Sequence, residues 1–526
     1  MEQRVDFFPF FHDRQESPRG MFRRYLLPTL LLFFSLAAAH GADEVRITGV
    51  SLNARSVPRY EKCEATVSIR GLEYTNPYNP EQVDLRARFT SPSGGTWKQF
   101  GFYDGTDWKV RFSPNETGTW HGRITVSNDG TTARSDRFSF RCSPSEHHGW
   151  IRQAETDPHY FVHDDGTPWF GVGHCNHVSK VDFGKKPMLD ELGPRKMKGY
   201  DVNSLVHWIF HDHPIESLGK DMAGDPFQNT GVGRYDQRNA RWIDRLVEKA
   251  EKLDIKLAFV IWFHSQFYNK YNYGWDKGRI RNAYHTLHGG TLEAKEWASD
   301  SESWKYQRRR YRYIIARWGY SRAVSMWNLM VELDLTPFPN KTTWLRKTHE
   351  YFKKNDPFGH PTTASACGGS WKPKFYRVVD VPSYHSYGTQ PVRTRVQQLV
   401  AATLRMRQFE KPSFISEYGT EAPELRPDFW HHVNWSCSLG GAAMSPHYWL
   451  SGGKFYGDAV WDRLYSGKSD TLPPEKTYLE HQQILTNQNH PEQLLQSSGH
   501  TVHTRGHQAH ILRPVDQHPR PLLIEQ

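Results

Sequence analysis

The stretch KPSFISEYGT, residues 411–420, sets a short apolar run, Phe414 and Ile415, between a Lys-Pro and a carboxylate, Glu417, that an aromatic and a glycine follow. A buried parallel strand has this form: a few apolar residues after a turn signal, with a functional group at the C-terminal end. In an α/β barrel the reacting groups sit at those ends. A lone carboxylate there is more often solvated or capping. The weight of Glu417 therefore depends on whether the chain supplies a second carboxylate and the strands to hold both.

Working outward, strand-like runs recur. The first covers residues 169–173 and ends in His174, Cys175, Asn176 and His177. The second, 203–210, ends in a His211-Asp-His213 run, and the third, 256–263, ends at His264. The fourth, 323–330, leads into Glu332. The fifth and sixth cover 361–366 and 379–387. The seventh carries Glu417, and the eighth, 441–444, ends near His447-Tyr-Trp449. Helical spacing separates them, as at 240–253, where Ile243, Leu246 and Val247 share one face. Helices are also expected at 300–319, 342–354 and 392–407. Alternation of this kind predicts an α/β fold, a (β/α)8 TIM barrel over residues 146–485. A doubly wound open sheet would bring a glycine-rich loop after its first strand, and none is there.

The flanks read differently. Residues 43–145 alternate apolar with polar in short runs, as in Cys63-Glu-Ala-Thr-Val-Ser-Ile, with turn signals at Asp104-Gly and Asn128-Asp-Gly. That is the period of a sheet with one buried face, and it predicts a small all-β sandwich ahead of the barrel. Residues 1–42 read as a leader and signal peptide: Arg23-Arg24, then YLLPTLLLFFSL, then Ala37-Ala38-Ala39. The expected location is secreted or periplasmic, with no membrane span in the mature chain. Residues 486–526 are His-, Gln- and Pro-rich without clear period and are expected to be an irregular tail.

Composition narrows the function. The chain has 526 residues, 14% of them aromatic, and a net charge of +10. The basic residues are dispersed apart from Arg308-Arg309-Arg310, read as a solvated helix face. No nucleic-acid motif is present. The five cysteines form no CxxC pair, and export permits a bridge between Cys63 and Cys142.

Glu332 ends the fourth strand and Glu417 the seventh, which face each other across an eight-stranded barrel. Two carboxylates so placed are the minimum apparatus for glycoside hydrolysis: one protonates the leaving oxygen, the other attacks the anomeric carbon. The structural alternative for Glu332 is a buried ion pair with an Arg, and Asp334 and Glu421 are neighbouring carboxylates.

Trp327 and Glu332 on strand four, Glu417-Tyr-Gly419 on strand seven, and the aromatic after strand eight resemble the clan of retaining (β/α)8 glycoside hydrolases. With the sandwich and the hairpin over 160–176, the chain is similar to the bacterial apiosidase-like subgroup. That resemblance implies Glu332 as acid/base, Glu417 as nucleophile, and Tyr387 or His385 as a hydrogen-bond partner of the nucleophile. It also implies Trp449 as the platform under the reacting sugar. The further substrate-binding candidates are Asn328, His174, His264 and Trp275. The expected partner is a carbohydrate, with no cofactor and no metal. One position departs from the clan: the Asn usually directly before the acid/base is Val331, with Asn328 earlier on the strand. Two other readings stay open, a non-catalytic carbohydrate-binding protein on a degenerate barrel and a metal-dependent hydrolase using the barrel-mouth histidines.

Overall fold

A computed structural model describes residues 44–176, 203–218, 230–269, 274–277, 281–367, 371–419 and 427–449, and the backbone of strands Thr501–Arg505 and Gln508–Leu512. The expected leader and His177 lie outside the described residues.

Eight parallel strands close into a barrel in chain order. They are β1 Gly173–Asn176, β2 Ser204–His207, β3 Lys256–Val260, β4 Val324–Asn328, β5 Thr362–Ala366, β6 Val381–Ser386, β7 Phe414–Tyr418 and β8 Tyr448–Trp449. Alternation sorts their side chains. Val206, Ala258, Val260, Met326, Val381 and Phe414 fill the interior as one cluster. Leu257, Phe259, Val324, Trp327 and Ile415 join the outer core.

Two strands begin later than the sequence suggests. Trp169 belongs to Pro168–Trp169, which pairs antiparallel with Phe161–His163, so the barrel ladder starts only at Gly173. The run 441–444 contributes one isolated bridge, Met444 to Gly171. It threads between β7 and β1 on single bonds, Ala443 N–H to Ser413 O (2.9 Å) and Ser445 N–H to Gly171 O (2.8 Å). The ladder to β1 forms at Tyr448.

Helices cover the outside. In α1, Gln237–Leu253, the Asp236 carboxylate accepts the Arg238 and Asn239 N–H groups as an N-cap, and Ala240, Ile243, Leu246, Val247 and Ala250 form the buried stripe. In α2, Ser301–Trp318, Asp300 caps Ser303.

The all-β domain packs a four-stranded sheet against a six-stranded one. Phe89 of one sheet stacks on Phe112 of the other at 4.2 Å. Phe358, from the chain between α3 (Lys341–Asn355) and β5, enters that core, 5.0 Å from Trp150 and 5.9 Å from Phe112. Sandwich and barrel therefore share apolar packing.

Three expectations are corrected. Of the Arg308-Arg309-Arg310 run only Arg308 is exposed, and Arg309 and Arg310 are buried. Arg310 is buried, pairs with Glu216 at 3.2 Å and lies 4.0 Å over the Trp262 ring. Arg309 reaches Glu81 of the sandwich at 3.0 Å, so α2 turns its basic side inward onto the other domain. Cys63 and Cys142 are both free. They lie on strands of opposite sheets, and both thiols pack in the core. The tail contains an antiparallel hairpin, Thr501–Arg505 with Gln508–Leu512. Among the described residues no helix is long and apolar enough to cross a membrane.

Candidate active site

Glu417 faces the barrel interior because of a bulge. Along β6 and β7 the register runs Ser383 to Phe414 and Tyr384 to Ile415, then slips, so that His385 lies opposite Glu417. Strict alternation would put Ser416 and Glu417 on opposite faces. The Ser416 hydroxyl donates to Ser383 at 3.1 Å inside the barrel. The extra residue then resets the parity and turns Glu417 to the same side, a known use of bulges beside reactive groups.

Glu332 is placed by a different device. The backbone beyond β4 stays in the wall: Leu329 N–H donates to Thr363 O and Val331 N–H to Trp262 O. Glu332 then takes a left-handed conformation (φ 53°, ψ 50°) at the start of the turn Leu333–Leu335. For a residue with a Cβ this costs on the order of 1 kcal/mol or more, and such strain clusters at functional sites. The Ser365 hydroxyl of β5 accepts the Glu332 N–H at 2.9 Å and holds the turn.

His385 stands between the two carboxylates. Its Nδ1 is 3.0 Å from Glu332 Oε1 and 3.4 Å from Glu417 Oε2. An oxygen of each glutamate and a nitrogen of His385 lie within 4.8 Å of one another. The remaining oxygens have their own partners. His264 Nδ1 is 3.1 Å from Glu332 Oε2, and the Tyr387 hydroxyl donates to Glu417 Oε1. The Cys175 thiol donates to Glu417 Oε2 at 3.7 Å.

The electrostatics of the two glutamates diverge. Burial pushes Glu417 up to about 7, with the His385 charge pulling it down and the Glu332 charge pushing it up. Burial acts the same way on Glu332, but the His385 hydrogen bond and the charges of His385 and His264 outweigh it and bring it down to about 2. Burial opposes a charge on His385, and the two carboxylates overcome that, raising its pKa. Burial disfavours the charge on His264, so His385 is the main cation for two buried carboxyls, and a proton shared within the cluster makes up the deficit.

Of the sequence candidates, Glu332, Glu417, His264, His385 and Tyr387 converge here. Trp449 stands at the end of β8, 4.9 Å from Trp208, which stacks on Phe263. Asn328 shares the inward face of β4 with Met326. It is fully buried, and neither side-chain polar atom has a hydrogen-bond partner among the described residues. Val331 is also fully buried, within the interior apolar cluster. Two candidates do not join them. His174 neighbours the inward Cys175 and points to the other face, where burial lowers it to about 3 alongside His447 and His207. Trp275 stacks on Phe267, and its indole N–H donates to Leu292 O at 3.2 Å. Cys175 is the residue that sequence reasoning missed. Its position next to His174 on a buried strand was the available signal, because alternation allows only one of the two to face inward.

Comparisons with known proteins add the following. Residues 56–127 match a family described as a domain of unknown function, DUF5060. No curated protein matches the sequence. A protein from Bacteroides vulgatus described as a "putative glycoside hydrolase" shares the fold, with TM-score 0.59 and 17% identity, over 85% of this chain and 80% of that one. An endo-1,4-beta-mannanase from Rhizomucor miehei aligns at TM-score 0.47 and 15% identity, over 65% of this chain and 100% of that one. The endo-1,4-beta-D-mannanase of Thermotoga petrophila aligns at TM-score 0.44 and 17% identity, over 60% of this chain and 100% of that one.

Proposed function

We propose that the chain is a glycoside hydrolase that cleaves a poly- or oligosaccharide with the Glu332 and Glu417 pair, by retention. The observation that carries the reading is the closeness of the pair, with oxygens of the two carboxyls no more than 4.8 Å apart. Retaining enzymes hold their carboxyl groups about 5–5.5 Å apart, and inverting ones leave about 6.5–9.5 Å for a water. Glu417 is the nucleophile: the Tyr387 hydroxyl and the Cys175 thiol both donate to it and favour its anion. Glu332 is the acid/base. Its entry-side neighbour His264 and the aromatic Trp449 bind the sugar, and the protein acts as a secreted enzyme of the apiosidase-like kind, with an immunoglobulin-like accessory domain.

In the free site the protons lie the other way round, with Glu417 titrating near 7 and Glu332 held low. In the role assignment above, sugar binding transfers the proton to Glu332. The same observation favours a second reading, in which Glu417 is the acid and Glu332 the nucleophile. A panel of fluorosugar inactivators followed by peptide mass spectrometry separates them, because the covalently labelled glutamate is the nucleophile. Activity on a plant and algal glycan panel, with the anomer of the first product read by NMR, tests the whole proposal. An inverted product, or hydrolysis that survives both Glu332→Gln and Glu417→Gln, overturns it.

A further inference from the structure

Three donors of mixed chemistry converge at the barrel mouth, and Glu417 Oε2 among them also accepts the long Cys175 thiol bond at 3.7 Å. Tyr387 anchors Oε1 of Glu417, and His264 flanks Oε2 of Glu332. Each carboxylate therefore presents its second oxygen to the same nitrogen, Nδ1 of His385. On Glu417 this is the arrangement of a metal site with an outer partner in place, where the oxygen that Tyr387 bonds orients the one that binds. Zinc bonds of about 2.0–2.2 Å to nitrogen and oxygen put neighbouring ligand atoms of a tetrahedron about 3.3–3.6 Å apart. The distances from His385 Nδ1 are 3.4 Å to Glu417 and 3.0 Å to Glu332, so one edge already fits, the second opens by a few tenths of an ångström, and the third, between the two carboxylates, is within 4.8 Å.

We propose that Glu332 Oε1, Glu417 Oε2 and His385 Nδ1 bind one zinc ion, which takes the place of the His385 proton and blocks the carboxylate pair. A doubly charged cation also balances two carboxylates where a single imidazolium balances one. Three protein ligands leave a fourth position for water, as in open zinc sites. The blocking effect rests on the glycosidase reading; the binding does not.

The experiment uses the full chain, stripped of metal and titrated with zinc chloride by calorimetry, with the ion located by anomalous diffraction. One ion per chain is expected, centred between Glu332, His385 and Glu417, with a rise in Tm on adding zinc. Glu417→Gln keeps the shape of the side chain and weakens binding at least tenfold, as does His385→Ala. If His385→Ala does not fold, Glu417→Gln and the zinc-dependent Tm carry the test. His288 is an exposed competitor, 2.9 Å from Asp300 and 3.2 Å from Glu302. Its substitution, His288→Ala, leaves the zinc titration unchanged. Binding that vanishes in His288→Ala, or persists in Glu417→Gln, or a peak only at surface histidines, overturns the proposal. Zinc bound at the triad of a protein that hydrolyses no glycan would break the glycosidase reading and leave the metal site standing. Hydrolysis indifferent to zinc that calorimetry shows bound would overturn the blocking claim and leave the glycosidase reading standing.

Discussion

Two clusters of buried charge do opposite things in this molecule. Where the sandwich meets the barrel, Asp244 of α1 receives Arg111 from the sandwich at 2.7 Å, Arg317 of α2 at 2.6 Å, and the Trp318 indole N–H at 2.9 Å. Glu64 takes the other side of Arg111 at 2.7 Å. Every charge there faces an opposite one, and no proton is needed to balance it. Burial opposes the Asp244 charge, yet the two guanidiniums hold its carboxyl well below the ordinary carboxylate range. At the barrel mouth two carboxylates share one buried imidazole, and a proton is required. The first arrangement is fixed over the working pH range and joins two domains. The second has a labile proton near neutrality, which is what acid–base chemistry uses.

The largest expected effect is on the labile cluster. Glu417→Gln and Glu332→Gln each lower kcat by about a thousandfold or more, because each removes a group that bonds to the reacting centre or moves its proton. Each amide is close in shape to the acid, so the fold is kept and Tm changes only by the lost titration of each group. Steady-state kinetics beside thermal unfolding check both halves. Asp244→Ala breaks the other cluster in the opposite sense. It leaves Arg317 buried with only the neutral partners Gln237 and Tyr313, and Arg111 with Glu64 as its remaining carboxylate, which costs about 3–5 kcal/mol in stability. Urea unfolding reads the loss, and the shape of the pH–rate profile stays as it was. If Asp244→Ala reshaped that profile, the division between the two clusters would fail.

Glu417 and Asp244 also give stability opposite slopes with pH. Glu417 is raised from 4.5 in the unfolded chain to about 7 in the fold. The fold therefore favours its protonated form, and that contribution is complete below about pH 4.5 and fades as pH rises through 7. Asp244 is lowered from 3.8, so its contribution is present above that value and is lost as pH falls below it. Unfolding midpoints of wild type and Glu417→Gln should lie close together near pH 4.5 and separate as pH rises to 8, with wild type falling relative to the variant. Parallel curves would mean that Glu417 is not the proton-bearing member.

The barrel was legible in the sequence because its signals are local. Apolar runs ending in functional residues count strands, and helical spacing such as Ile243, Leu246 and Val247 counts helices. Glu332 and Glu417 followed from strand counting. What was not legible depends on register. The slip between Tyr384 and His385 that turns Glu417 inward leaves no mark in composition. The basic run at 308–310 looks solvated until the sandwich is known to lie against α2. Cys63 and Cys142 mark the ends of the sandwich, but each stays a free thiol packed in its core.

The smallest expected effect tests that point about register. Within β1, alternation puts Cys175 inward and His174 outward, so two adjacent residues should answer differently to the same probe. A thiol is a weak donor, and its bond to Glu417 at 3.7 Å is long even for sulfur. Removing it in Cys175→Ala should lower kcat by no more than about fivefold, matching about 1 kcal/mol for a neutral hydrogen bond. The thiol holds Glu417 slightly towards its anion, so its loss raises the Glu417 pKa further and moves that limb of the pH–rate profile to higher pH. His174→Ala removes a neutral imidazole from the opposite face, next to His447 and His207, and should change stability without moving the limb. If the limb moved in His174→Ala and stayed in Cys175→Ala, the register of β1 would be one residue out, and the thiol could not be the Glu417 partner.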